Sequence, residues 1–77
     1  VKGGRIMKLW IRSQDRARIL KCEKLYIQVL NGEFHILNEN EFPLGIYETR
    51  ERALEVLDEI QEYISNNYAE VFEMPEE

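Results

Sequence analysis

Little in this chain suits it to covalent or metal chemistry. Cys22 is the one cysteine, which excludes an internal disulfide and fits a reducing cytoplasm. His35 is the one histidine; it stands between Phe34 and Ile36 in an alternating segment, with no Cys/His cluster at zinc spacing. It reads as a strand histidine, and Cys22 as a small strand or turn residue. No serine elbow or Walker-type loop is present, and Gly3-Gly4 is followed by no helix that could complete a phosphate site. No apolar run is long enough to cross a bilayer, and no stretch has the pattern of a secretory signal. There is no internal repeat and no low-complexity linker. These absences leave one small domain, with no cofactor and no catalytic constellation within a single chain. Helical carboxylate pairs such as Glu55 and Glu59 lack a second ligand set, so they read as a solvated face rather than a metal site.

Cations are scarce in the second half. Residues 1–37 hold eight Lys or Arg against three acids, whereas residues 38–77 hold two against twelve. The net charge is −5. A basic half beside an acidic half is dipolar, suited to self-association or to an anionic ligand on the basic side. The acidic half would repel nucleic acid phosphates, so nucleic acid is not an expected partner. At 77 residues, 44% of them hydrophobic, the chain buries only about 60% of its unfolded surface. A core that small predicts a homodimer or higher oligomer.

The N-terminus reads as translated leader. Val1 fits a GTG start, and the codons for Lys2-Gly3-Gly4 can spell a ribosome-binding sequence at normal spacing from Met7. Residues 1–6 are therefore expected to be a mis-called leader or an extended arm, with a single α+β domain over 7–77.

From Met7 onward the pattern has period two. Met7, Leu9 and Ile11 alternate with Lys8, Trp10 and Arg12; Ser13-Gln14-Asp15-Arg16 makes a polar turn; and Ile19-Leu20 resumes an apolar stretch. Leu25, Ile27 and Val29 lead into Asn31-Gly32, a two-residue hairpin signal. Phe34 to Leu37 returns, Asn38 to Glu41 turns again, and Phe42 to Tyr47 supplies a further strand, with Pro43 near its start. The expectation is an antiparallel sheet of about four strands.

The period then changes. Thr49 caps a helix over about 49–65, with Glu51 in its first turn. Ala53, Val56, Leu57, Ile60 and Ile64 form one stripe, flanked by Leu54 and Tyr63, predicting a helix laid across one sheet face. Its outer face carries Glu51, Glu55, Asp58, Glu59 and Glu62 with no cation after Arg52. Like-charged pairs at helical spacing each cost about 0.2–0.5 kcal/mol. Asn66-Asn67 ends the helix. In the tail 68–77, Tyr68, Val71, Phe72 and Met74 predict a fifth short strand or a docking segment. Pro75-Glu76-Glu77 closes it.

The segment Trp10 to Arg16 is the candidate ligand surface. Trp10 and Arg12 share a strand face, where a base or sugar could stack while a guanidinium meets a phosphate; Gln14, Asp15 and Arg16 complete the set. Against this stands a purely architectural reading, in which Trp10 covers the sheet while Ser13 and Asp15 hold the turn. For partner contacts the candidates are Glu55, Asp58, Glu59 and Glu62 on the helix and Phe72 and Met74 in the tail.

Met7-Lys8-Leu9-Trp10-Ile11-Arg12-Ser13-Gln14-Asp15-Arg16, followed by Leu44-Gly45-Ile46-Tyr47-Glu48-Thr49 and the helix Arg50 to Gln61, resembles a family of small uncharacterised proteins from prophages and mobile elements of Gram-positive bacteria. The ending Val71-Phe72-Glu73-Met74-Pro75 is similar too. The resemblance implies a phage accessory protein and no particular chemistry. Two functions follow from residues and resemblance together. One is a non-enzymatic protein that binds and modulates a host protein, with a counter-defence role. The other is an oligomeric sponge for a small anionic ligand such as a nucleotide signal.

Overall fold

A computed structural model describes residues 9–66 and 71–77. The expectations for the leader, for Met7 and Lys8 in the first strand, and for Asn67 and Tyr68 fall outside the described residues.

The architecture is α+β: the described residues form six strands in two three-stranded sheets and one helix around a common core. Strand β1 (Leu9–Arg12) pairs antiparallel with β2 (Ile19–Cys22). Strands β3 (Leu25–Leu30), β4 (Glu33–Asn38) and β5 (Pro43–Tyr47) form an antiparallel meander. Helix α1 (Arg50–Ser65) follows, and β6 (Phe72–Glu73) joins β1 in parallel, Ile11 opposite Phe72. The expected sheet of about four strands is thus two sheets, ordered β2-β1-β6 and β3-β4-β5. Period two marks which residues alternate but not which strands pair. Here Glu23-Lys24 separates two independent hairpins, β1–β2 and β3–β4. The tail strand forms as expected, though its neighbour is β1 and its direction parallel.

Each local feature has a chemical cause. Asn31 (φ 51°) and Gly32 (φ 77°) both take the left-handed conformation that a two-residue hairpin of matching twist demands. Asn38 is buried and closes the next turn, its Oδ1 accepting from the N–H of Asn40 (2.9 Å) and of Phe42 (3.0 Å). A register shift in the β4–β5 ladder sets Ile36 opposite Gly45 and Leu37 opposite Pro43. Leu44 is the extra residue of this bulge, and it is buried in the core. Thr49 Oγ1 accepts from the Arg52 N–H at 3.1 Å, capping α1 one residue ahead of its first helical position.

The core draws on every layer. Ile11 from β1, Cys22 from β2, Ile36 from β4, Leu44 from β5, Val56 from α1 and Phe72 from β6 meet in one cluster. Each fully buried aliphatic side chain contributes about 1.5–3 kcal/mol. Of the predicted helical stripe, Ala53, Val56 and Ile60 are buried, Leu57, Tyr63 and Ile64 half-buried, and Leu54 exposed. The Tyr63 ring meets Phe72 edge-on at 5.3 Å, tying the end of the helix to the tail strand.

Candidate functional site

The polar pentapeptide after β1 folds into a tight loop. Ser13 is buried; its Oγ donates to Asp15 Oδ1 (2.6 Å) and accepts from the Arg18 N–H (3.2 Å). Asp15 Oδ1 also accepts from the Ala17 N–H at 3.0 Å. These bonds favour the carboxylate, and the Asp15 pKa falls below its ordinary value, with the Ser13 hydroxyl the largest cause. Arg16 holds the turn at φ 66°, and its carbonyl accepts from Arg12 Nε at 3.2 Å.

Gln14 bridges the two sheets. Its main-chain N–H donates to Leu44 O at 2.7 Å. Its side-chain amide treats Ile46 as a neighbouring strand would: Oε1 accepts from the Ile46 N–H (2.8 Å) while Nε2 donates to Ile46 O (3.1 Å). Nε2 also faces Pro75 O (3.2 Å) and Glu76 O (2.8 Å), so one amide joins the β1 loop, the β5 edge and the tail. The tail is pinned at four further points. The Met74 N–H donates to Arg12 O, Tyr47 Oη to Pro75 O (2.8 Å), Arg16 Nη1 to Glu73 Oε1 (3.1 Å) and Arg52 Nε to Glu77 O (2.7 Å).

The β1–β2 register decides what surrounds Trp10. Trp10 lies opposite Lys21 and Arg12 opposite Ile19, so these four share the outer face of the first sheet. Trp10 keeps 48% of its surface exposed, and Arg16 stands at the end of this face against Glu73. Of the five candidate ligand residues, Trp10, Arg12 and Arg16 are brought together here, whereas Gln14 and Asp15 spend their polar atoms on intramolecular bonds. Lys21 and Ile19 join the set through cross-strand pairing, which residue spacing along the chain did not reveal.

No protein-family model, curated protein or solved structure matches this chain.

A second feature is a cleft of about 650 Å³ between the start of α1 and the tail, lined by Glu33, Ile46, Tyr47, Glu48, Thr49, Arg52, Glu76 and Glu77. Arg52 spans its floor, reaching Glu55 Oε1 (3.1 Å) and Glu59 Oε2 (3.3 Å) as well as Glu77 O. Burial raises the Tyr47 phenol to a pKa of about 12. His35 sits nearby with Nε2 buried, 3.6 Å from Glu33 Oε1. The Cys22 thiol is remote from this cleft, in the core, and burial raises its pKa to about 11. Among the described residues, no group of three or more His, Cys, Asp or Glu is placed to hold a metal ion, and no helix is long and apolar enough to cross a membrane.

The candidate partner residues divide. Glu55, Asp58, Glu59 and Glu62 are all exposed on α1; Glu55 and Glu59 grip Arg52, while Asp58 and Glu62 make no side-chain bond among the described residues. Phe72 and Met74 are core residues, 9% and 4% exposed. Of these six candidates, the four carboxylates are exposed on the folded surface, whereas Phe72 and Met74 are not.

Proposed function

We propose that this chain is a non-enzymatic accessory protein of prophage type. It docks the acidic outer face of α1 on a cationic surface of a bacterial host protein, in the cytoplasm and in a counter-defence role. The observation that carries this reading is the acidic ridge itself. Glu51, Asp58 and Glu62 stand exposed without counter-ions among the described residues, and Asp58 and Glu62 face each other at the i,i+4 spacing that destabilises a helix. The helix withstands that repulsion through its Thr49 cap, its core stripe and the Arg52 clasp, leaving the carboxylates available to a complementary surface. The test compares immobilised wild type with D58N/E62Q, which spares the Arg52 clasp, first for capture of a host protein and then for affinity with that protein purified. Loss of binding in the variant and steep weakening by salt support the reading. Equal binding by both forms refutes it.

A specific observation favours a second reading, an oligomeric sponge for a small anionic ligand such as a nucleotide. An exposed indole, two guanidinium groups and the Lys21 ammonium share one sheet face, which suits stacking against a base beside phosphate contacts. Native mass spectrometry of protein purified gently from bacteria tests it. A discrete adduct that vanishes in R12A/R16A supports a sponge, and an adduct unaffected by those changes removes this surface from consideration.

A further inference from the structure

Among the described residues, three of the four outer sheet edges are short or covered. Strand β2 has four residues and carries exposed Lys21, β6 has two, and the β5 edge is met by Gln14. Strand β3 is different. It runs six residues, Leu-Tyr-Ile-Gln-Val-Leu, with no charge, proline, glycine or bulge, and among the described residues it pairs on one side only. Helix α1 lies over β4 and β5, so the far half of β3 is bare: Val29 is 57% exposed and Leu30 42%.

The hairpin settles which backbone groups face outward. A two-residue turn with both residues at positive φ closes on a hydrogen-bonded pair, here Leu30–Glu33. Bonded and non-bonded pairs alternate, so Gln28–His35 and Tyr26–Leu37 are the next bonded pairs. The N–H and C=O groups of Leu25, Ile27 and Val29 consequently point to the open edge.

We infer that β3 pairs with β3 of a second copy of this chain, antiparallel about a two-fold axis at Ile27. That register sets Ile27 opposite Ile27 and Leu25 opposite Val29. It uses every outward group of the strand in about six hydrogen bonds and covers each exposed Val29 with a Leu25. Charge selects the same register. Lys24 comes opposite Leu30 of the second copy, and the next residue in that row is the second copy's Glu33, because Leu30 pairs with Glu33 across the hairpin. Lys24 Nζ lies over the Tyr26 ring at 5.9 Å, on the face that Tyr26 shares with Leu30 and Glu33. Two-fold symmetry makes this Lys–Glu contact twice. The product is one continuous sheet, β5-β4-β3-β3-β4-β5, with isologous closure. Neither the acidic face of α1 nor the Trp10 surface takes part, so this dimer stands or falls independently of the proposed function.

The experiment is sedimentation of the full chain from micromolar to millimolar concentration, together with amide hydrogen exchange. The expected result is a concentration-dependent dimer in which the Leu25, Ile27 and Val29 amides gain protection as the dimer forms. The Tyr26, Gln28 and Leu30 amides are protected at every concentration. Val29→Lys weakens the dimer by about tenfold or more. Lys24→Glu and Glu33→Lys each weaken it by several-fold, and K24E/E33K restores it, because each copy then offers the inverted pair. A monomer at all concentrations overturns the inference. So does a dimer that is indifferent to Val29→Lys and leaves the three edge amides unprotected, since its contact then lies elsewhere.

Discussion

Replacing Gln14 by alanine removes a side chain that hydrogen-bonds both the edge of β5 and the tail. Nε2 carries two hydrogens shared among three carbonyls, and Oε1 holds the Ile46 N–H, so three bonds' worth of donor and acceptor capacity is lost. At roughly 0.5–1.5 kcal/mol each, with water replacing part of the loss at the exposed contacts, the cost is about 2 kcal/mol. For a domain of this size that lowers Tm by about 10 °C. Urea melts are expected to show a lower midpoint at unchanged slope, because the surface exposed on unfolding is the same. Gln14→Glu separates this clamp from simple loss of packing. One carboxylate oxygen can still accept from the Ile46 N–H, but the other faces carbonyls it cannot donate to, so the variant is less stable than Gln14→Ala at neutral pH. Repulsion from those carbonyls raises the introduced carboxyl's pKa in the folded state above its unfolded value. The folded state then binds the extra proton, and the deficit shrinks as pH falls through that interval. A Gln14→Ala midpoint within about 0.5 kcal/mol of wild type, or a Gln14→Glu variant as stable as wild type at neutral pH, refutes the clamp.

Gly45→Ala is expected to cost about 1–3 kcal/mol in a denaturant melt, since its Cβ would stand 2.9 Å from Tyr47 Cε2 and Oη and 3.0 Å from Met74 Cε. Tyr47, with its phenol raised to about 12, stays protonated in the fold; the stability it contributes is full below its ordinary value of 10.0 and lost as pH rises through the folded value. Ultraviolet titration should therefore show this tyrosine ionising only with alkaline unfolding. Asp15 acts in the opposite sense: its lowered pKa stabilises the fold above the ordinary carboxylate value, and that contribution disappears as pH falls through the folded one. NMR titration of Ser13→Ala should move the Asp15 pKa back toward its ordinary value. Cys22, buried and raised to about 11, should resist thiol reagents in the native state and react on addition of denaturant.

Local chemistry in the sequence was sufficient for the hairpin at Asn31-Gly32, the Asn38 turn, the Thr49 cap and the apolar stripe of α1. Each of these depends on residues within a few positions of one another, where backbone sterics and side-chain hydrogen bonds act directly. Pairing across the chain was another matter. Alternation in β1, β2 and β3 is compatible with one meander or with two sheets, and only the packing of Ile11, Cys22, Ile36 and Phe72 into a shared core selects two. The Trp10–Arg12 face was legible from period two, but Lys21 and Ile19 enter it through strand register alone. Gln14 shows the limit most clearly. In sequence it is a polar turn residue; in the fold its amide completes an edge strand 32 residues away and fastens a tail about 60 residues away. Hydrogen-bonding capacity is written in the residue type, whereas the partner that satisfies it is chosen by how the whole chain packs.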